Sequence, residues 1–317
     1  MKYKACDTLL NMIARCRKEE KILIVTDPES LEVATALWED ASEFPNRSMV
    51  MMPAQTTHGQ EPPALVRAAM MEADVIFRVT TYSISNTKAR RAACANGARD
   101  VNCADYDMRM LSEGGLYTDF ESMVPFICES AEKLRGSGIR ITTDAGTDFT
   151  ASIEGRKPIA ANCASWEPGV ASFPPDIEIA IGAVNGTGNG TLVVDASIPH
   201  KTLGPLHESI RLQFENSKIV DIQGGEEADK LKALLASAND PDHAYFMGEL
   251  GFGMNPNCKI SGRMLEDEGC ARTAHFGIGD DLSFGGTNSC MQHIDLIYWK
   301  PNVWIDGRQI MKDGEMI

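Results

Sequence analysis

KILIVTD, Lys21–Asp27, is a short apolar run closed by a lysine and an aspartate. A run of this length with no polar alternation suits a strand buried on both faces, as in a parallel sheet covered by helices. The flanking sequence keeps that rhythm. An amphipathic helix is predicted over Asp7–Lys18 before it, and a helix over Ser30–Ala41 after it. Strands follow at Ser48–Met52, Asp74–Thr81 and Arg99–Cys103, separated by helices at Pro63–Glu72 and Asn86–Asn96. Gly97 is placed to cap the second of these, and Ser83 or Ser85 to start it. A further helix is predicted over Glu121–Arg135. Such β-α repeats imply right-handed crossovers and a parallel sheet. The turn after the first strand, Thr26-Asp27-Pro28-Glu29, has no glycine and two acids, so it lacks the phosphate cradle of a dinucleotide site.

Past Gly136-Ser137-Gly138 the texture changes to short strands punctuated by turns, at Ile139–Asp144, Phe149–Lys157, Ile177–Gly182, Gly190–Ile198 and Ser209–Gly225. The last is read as a hairpin turning at Glu215-Asn216-Ser217-Lys218. One helix, Glu226–Ala236, interrupts the series, and an aromatic strand is expected at Ala244–Phe246. The fold expected is an α/β N-terminal layer with a parallel sheet over residues 1–137, plus a β-rich (α+β) metal-binding domain over 138–317.

Composition narrows the partners. The chain has 317 residues and a net charge of −15, which argues against nucleic acid and anionic membranes. No apolar run reaches the roughly 18 residues of a membrane span. The N-terminal twenty residues lack the apolar stretch of a signal peptide. Nine scattered cysteines without a CxxC pair suit reduced thiols and a cytoplasmic protein.

The chemistry concentrates near the C-terminus. In His293-Ile294-Asp295 the imidazole and the carboxylate would share one face of a strand. Glu249 in GELGFG and His275 in TAHFGIG stand in similar glycine-flanked strands. A buried glutamate is costly unless paired or bound to a cation. One Glu, two His and one Asp suit Zn²⁺, Mn²⁺, Co²⁺ or Fe²⁺ rather than Ca²⁺ or Mg²⁺. Glu266, Asp267 and Glu268 precede His275 as either a solvated turn or support for the metal and its water. Arg156 is a candidate for a substrate carboxylate, and Asn255 and Asn288 for substrate orientation. His58, His200, His207 and His243 have no matched partners and are read as non-ligands.

ELGFGMNPN, MLEDEG, TAHFGIGDDLSFGG and the terminal HID…KP…DGRQIMKDGE resemble the C-terminal signature of the aminopeptidase T (thermophilic-type metallo-aminopeptidase) family. GTDFTASIEGRK and SISNTKARRAACANGAR resemble its upstream motifs. The resemblance implies a pair of divalent ions (Zn, Co or Mn) activating a water against an amide, with Glu249, His275, His293 and Asp295 as ligands. It also implies a homodimer and a small-molecule or short-peptide substrate. Glu268 and Glu178 are then the candidate catalytic carboxylates. The chain departs from that pattern where the family has a tyrosine, here Leu282, and around Ser172–Gly182, where neither Asp176 nor Glu178 matches the family's upstream glutamate cleanly. A distant branch resembles iron-dependent dihydroxypyridine ring-cleaving dioxygenases, which would use His275, His293 and Asp295 around one Fe(II). That branch would place a histidine where Glu249 stands. The expectation is an amide hydrolase, the alternative a ring-cleaving dioxygenase, and a metal-free scaffold ranks third.

Overall fold

A computed structural model describes residues 3–238 and 240–317. By contacts the chain falls into two units, Met1–Val124 with Asn162–Pro175, and Pro125–Ala161 with Asp176–Ile317.

The first unit is the parallel layer. Its sheet runs in the order Arg47–Met51, Ile22–Thr26, Val75–Val79, Arg99–Asn102 and Ala171–Ser172, every pair parallel. The two central strands, Ile22–Thr26 and Val75–Val79, are buried at every position, as strands covered on both faces are. Arg78 and Asp100 on neighbouring strands form a doubly bonded ion pair with no exposure, both contacts at 2.7 Å. Burying both charges is tolerable only because each satisfies the other.

Two details of this unit differ from the sequence reading. The first helix starts at Lys4, widens into a π-helical turn over Thr8–Ile13 and stops there. Arg15 (φ 44°) is left-handed, which no right-handed helix can continue. The helix Lys88–Ala95 is capped by the Thr87 hydroxyl, which accepts from the Arg90 amide, rather than by Ser83 or Ser85. Gly97 (φ 99°) takes the C-terminal position expected of it.

The second unit contains two antiparallel sheets. One has eight strands, from Lys218–Gln223 through Ile210–Glu215, Asn189–Val194, Asp148–Ser152, Gly138–Thr142, Asn302–Ile305 and Arg308–Lys312 to Glu315–Met316. The other has seven, in the order Gly204–Pro205, Ser197–Ile198, His293–Trp299, Thr273–Gly279, Met247–Gly253, Glu178–Gly182 and Ile159–Ala161. Phe149 and Phe214 from the first sheet meet Phe276 from the second, with ring centroids 4.7–5.8 Å apart. Edge-on packing of this kind adds about 0.5–1.5 kcal/mol per pair beyond area burial. The hairpin turn at Asn216-Ser217 has both residues at positive φ, as a two-residue turn between twisted strands demands.

The aromatic strand expected at Ala244–Phe246 is not formed. Pro241–Ala244 is a short helix with Asp240 at its N-cap, the aspartate accepting from the His243 amide, and the strand begins at Met247. Asp-Pro supplies both the cap and the favoured first helical residue, a local signal that outweighs three apolar side chains. No helix among the described residues is long and apolar enough to cross a membrane.

Candidate metal centre

Four strands of the seven-stranded sheet build the site, and their register explains it. Within each strand, alternate residues share a face. On one face lie Glu178, Ala180 and Gly182; then Glu249, Gly251 and Gly253; then His275, Gly277 and Gly279; then His293, Asp295 and Ile297. The pairing sets His275 opposite Gly251, and Gly277 between Glu249 and Asp295. Each ionisable side chain therefore leans over a glycine of the neighbouring strand. A Cβ on Gly251 would lie 2.1 Å from His275 Nε2 and 2.9 Å from Glu178 Oε2. One on Gly277 would lie 2.6 Å from Glu249 Oε2 and 2.8 Å from His293 Cε1. The opposite face, with Leu250, Phe252, Phe276, Leu296 and Tyr298, is buried in the core.

Two groups of potential ligands result, Glu178–Glu249–His275 and Glu249–His293–Asp295, each with its ligand atoms within 4.8 Å of one another. Glu249 belongs to both. Its Oε2 lies 2.8 Å from His293 Nε2, and its Oε1 lies 3.5 Å from His275 Nε2. His275 Nε2 is also 3.3 Å from Glu178 Oε2, and His293 Nε2 is 3.3 Å from Asp295 Oδ1. His293 Nδ1 donates to the Asp280 carbonyl at 2.9 Å, which turns Nε2 toward the carboxylates. Its side chain is 29 % exposed while those of Glu249, His275 and Asp295 are at most 4 % exposed, so a ligand reaches the cluster from the His293 side.

The residues fit a divalent metal. Glu178 Oε2 and both Asp295 oxygens are buried without a hydrogen bond of normal geometry. Carboxylates so placed need a cation, and imidazole with carboxylate is the donor mixture of Zn²⁺, Mn²⁺, Co²⁺ and Fe²⁺.

The electrostatics separate the carboxylates into two kinds. Burial drives Glu178 and Glu268 well above the ordinary carboxylate range, assisted by Asp176 for the first and by Asp295 and Asp176 for the second. Burial pushes Glu249 and Asp295 the same way, but the imidazoles win and both end below it. Burial opposes protonation of His275, yet Glu178 and Glu249 outweigh it and raise the imidazole to about 9. His293 is likewise raised well above its usual value by Asp295 and Glu249. Without metal, two imidazolium protons thus hold the charge that a divalent ion would supply.

A pH dependence follows for the metal-free protein. His275 titrates near 6.5 in the unfolded chain and near 9 in the folded one. Its contribution to stability is fully present below pH 6.5 and is lost as pH rises through 9. Metal binding must displace that proton, so affinity should run the other way, rising from pH 6 toward 9. Thermal melts of chelator-treated protein, paired with metal titrations across this range, check both slopes; a metal affinity flat between pH 6 and 9 would show that His275 carries no proton to displace.

Of the residues singled out from the sequence, Glu249, His275, His293 and Asp295 come together here. They do not form one set around one point, because His275 sits with Glu178 while His293 and Asp295 sit on the other side of Glu249. Glu178, read as catalytic, stands among the potential ligands. Glu268 lies against Asp295 and Asp176 at the end of the short helix Met264–Glu268. The neighbouring acids are not a solvated turn: Asp267 is buried and accepts from the Ser261 and Gly262 amides, and Glu266 accepts from the Ser261 hydroxyl.

Asn255 and Asn288 are both buried. The first accepts from the Asn257 amide; the second donates to the His243 and Gly279 carbonyls. Arg156 donates to Asn185 beside the loop that follows the His275 strand. Two contributors, Phe284 and Asp281, are absent from the sequence reading, and a third, Asp176, has no role in it. Asp176 raises Glu178 from two residues upstream, and the same i, i+2 rule that found His293 and Asp295 would have found this pair. Phe284 stacks on the His293 ring, with centroids 6.0 Å apart and planes at 14°. Asp281, almost wholly buried, accepts from the Asn288 amide and Asn185 Nδ2 and so shapes the loop that supplies the Asp280 carbonyl.

The fold resembles solved structures over nearly its full length. The structure of 2,5-dihydroxypyridine dioxygenase from Pseudomonas putida superposes with a TM-score of 0.81 at 18 % identity, covering 99 % of this chain and 96 % of that one. Wild-type AmpT from Thermus thermophilus gives 0.74 at 14 % identity, covering 99 % and 98 %. At such identities both show the fold alone, a parallel α/β sheet followed by two antiparallel sheets. In sequence, the chain is 24 % identical over 191 residues to the 2,5-dihydroxypyridine 5,6-dioxygenase of Pseudomonas putida, covering 56 % of this chain. That alignment spans about half the length of this curated relative (54 %). The profile of the 2,5-dihydroxypyridine 5,6-dioxygenase family, NicX, matches residues 11–317.

The match overturns the expectation of an amide hydrolase. The likeness to AmpT is one of fold, and motifs such as GELGFG and TAHFGIG reflect the glycine-lined sheet that holds the ligands rather than the reaction they serve. Matched along almost its whole length, the chain belongs to the 2,5-dihydroxypyridine 5,6-dioxygenase family.

Proposed function

We propose that this protein is a non-haem iron(II) dioxygenase that opens the ring of a small hydroxylated aromatic or pyridine-type substrate. The family match over residues 11–317 carries the reading. The cluster of Glu178, Glu249, His275, His293 and Asp295 supports it with a buried place for the metal. A bound ferrous ion supplies the one-electron chemistry by which triplet O₂ reacts with an electron-rich ring.

The chain's own residues do the rest. Glu249, His293 and Asp295 would hold the ion on the accessible side, and the Asp280 carbonyl keeps the His293 ring oriented. Phe284 stacks on that imidazole at the exposed edge of the cluster. Glu268, which burial and the neighbouring Asp295 and Asp176 bias toward the protonated form, would hold a proton beside the cluster for the hydroxyl groups of a substrate.

Protein reconstituted with Fe(II) under argon, then mixed with 2,5-dihydroxypyridine in oxygenated buffer, should consume one O₂ per ring opened and lose this activity on chelation. Absence of O₂ uptake with hydroxylated pyridines and with hydroxylated benzenes would overturn the reading.

A further inference from the structure

We propose that Arg156 is the anion-recognition residue of this site and that the substrate ring carries a carboxylate. The proposal rests on the ring-opening reading for the kind of molecule bound, and on geometry for the charge.

Arg156 lies in the turn between the strands Asp148–Ser152 and Ile159–Ala161, half-buried. Its hydrogen bonding is meagre. Nη2 donates to Asn185 Oδ1 at 3.2 Å, Nε is sealed from solvent with no acceptor, and no carboxylate among the described residues pairs with it. A guanidinium offers five N–H donors in a rigid fork matched to a carboxylate, and desolvating it without an anion is unfavourable. Among the described residues, one long bond to a neutral amide is its whole complement. Asn185 also keeps it from the nearest candidate acid: its Nδ2 donates to Asp281 Oδ2 at 2.5 Å, while its Oδ1 accepts from both Arg156 and the Thr287 amide.

The location ties the fork to the metal centre. A Cβ on Gly285 would lie 3.1 Å from Arg156 Nη1, and the preceding residue is Phe284, whose ring stacks on His293. The Phe284 carbonyl packs so tightly on Gly182 that a Cβ there would meet it at 2.3 Å, and Gly182 is the strand partner of Glu249. The loop carrying Phe284 therefore lies over the strands that bear the ligands, beside the exposed edge of His293, with the Arg156 fork at its flank.

Charge complementarity gives the ligand class. A cation at the rim of the site favours a substrate that carries the opposite charge. Arg156 is a cation on that rim without a charge partner of its own. A ring seated beside Phe284, with its carboxylate in the guanidinium fork, would supply the anion that Arg156 lacks.

The test compares 2,5-dihydroxybenzoate with 1,4-dihydroxybenzene, the same ring with and without the carboxylate. Equilibrium binding is measured anaerobically on the Fe(II)-loaded protein by calorimetry. The wild type should bind the acid at least tenfold more tightly than the neutral ring. In Arg156→Gln the ratio should fall to about one, and Arg156→Lys should restore part of it, since lysine returns the charge without the fork. Equal affinity for the two rings in the wild type, failure of both to bind, or an unchanged ratio in Arg156→Gln would each overturn the proposal. O₂ uptake with no preference for the acid would defeat this inference and leave the ring-opening reading standing. Carboxylate-dependent binding without O₂ uptake on any hydroxylated ring would do the reverse.

Discussion

Glu249→Gln is expected to lower divalent-metal affinity by about 100-fold or more while leaving the fold intact. Glu249 belongs to both potential ligand groups, with one oxygen directed to His275 and the other to His293. The amide is nearly the same size, so packing survives, but it carries no charge and replaces an acceptor oxygen with a donor NH₂. Altering even outer partners of a metal site typically costs about 10–100-fold in affinity, and a shared ligand belongs at or beyond the upper end. Competition with a chelator of known affinity measures this, with circular dichroism and thermal melts as the control for folding. Affinity within threefold of the wild type would remove Glu249 from the metal site.

The second large effect comes from a residue with no side chain. Gly277→Ala places a methyl group 2.6 Å from Glu249 Oε2 and 2.8 Å from both Glu249 Cβ and His293 Cε1. The glycine does not occupy the left-handed region, so alanine meets no backbone strain and the conflict falls on the ligands themselves. Forcing them aside should cost about 1–3 kcal/mol in stability and, because ligand positions must hold to within about 0.5 Å, abolish tight metal binding. Gly251→Ala is the companion experiment, since its methyl group strikes His275 and Glu178 instead. If both alanine variants bind metal normally, the side chains of this face do not form the site.

Much of the metal centre could be read from local spacing because the side-chain period of a strand is two. His293-x-Asp295 declares a shared face without any knowledge of neighbours. ELGFG and HFGIG carry the matching message, a ligand followed by glycine at the second and fourth places. That glycines at those places exist to admit side chains from adjacent strands is visible only once the strands are paired. Asp176 is legible by the same rule, two residues before Glu178 at the start of its strand. Phe284 and Asp281 were not readable. They act through a loop whose course depends on Asn185, nearly one hundred residues away in sequence.

The division between reactions has a different origin. AmpT and the 2,5-dihydroxypyridine dioxygenase both show this architecture, at TM-scores of 0.74 and 0.81, so strand motifs that follow from the fold cannot by themselves name a reaction. The profile over residues 11–317 decided the family, and with it the ring-opening chemistry proposed here in place of amide hydrolysis.

What the linear order of residues settled was local: the buried parallel strands at Lys21–Asp27 and Asp74–Thr81, the Asn216-Ser217 turn, and the types and facing of the ligands, though not every cap or element end. Tertiary structure alone decided that Glu249 stands between two groups, that Glu178 joins one of them, and that Arg156 reaches the loop over His293. The physical reason is register. Alternation along a strand is set by backbone geometry, whereas the residue opposite each position depends on pairing between segments dozens of residues apart. A slip of one residue would turn every ligand to the other face of the sheet.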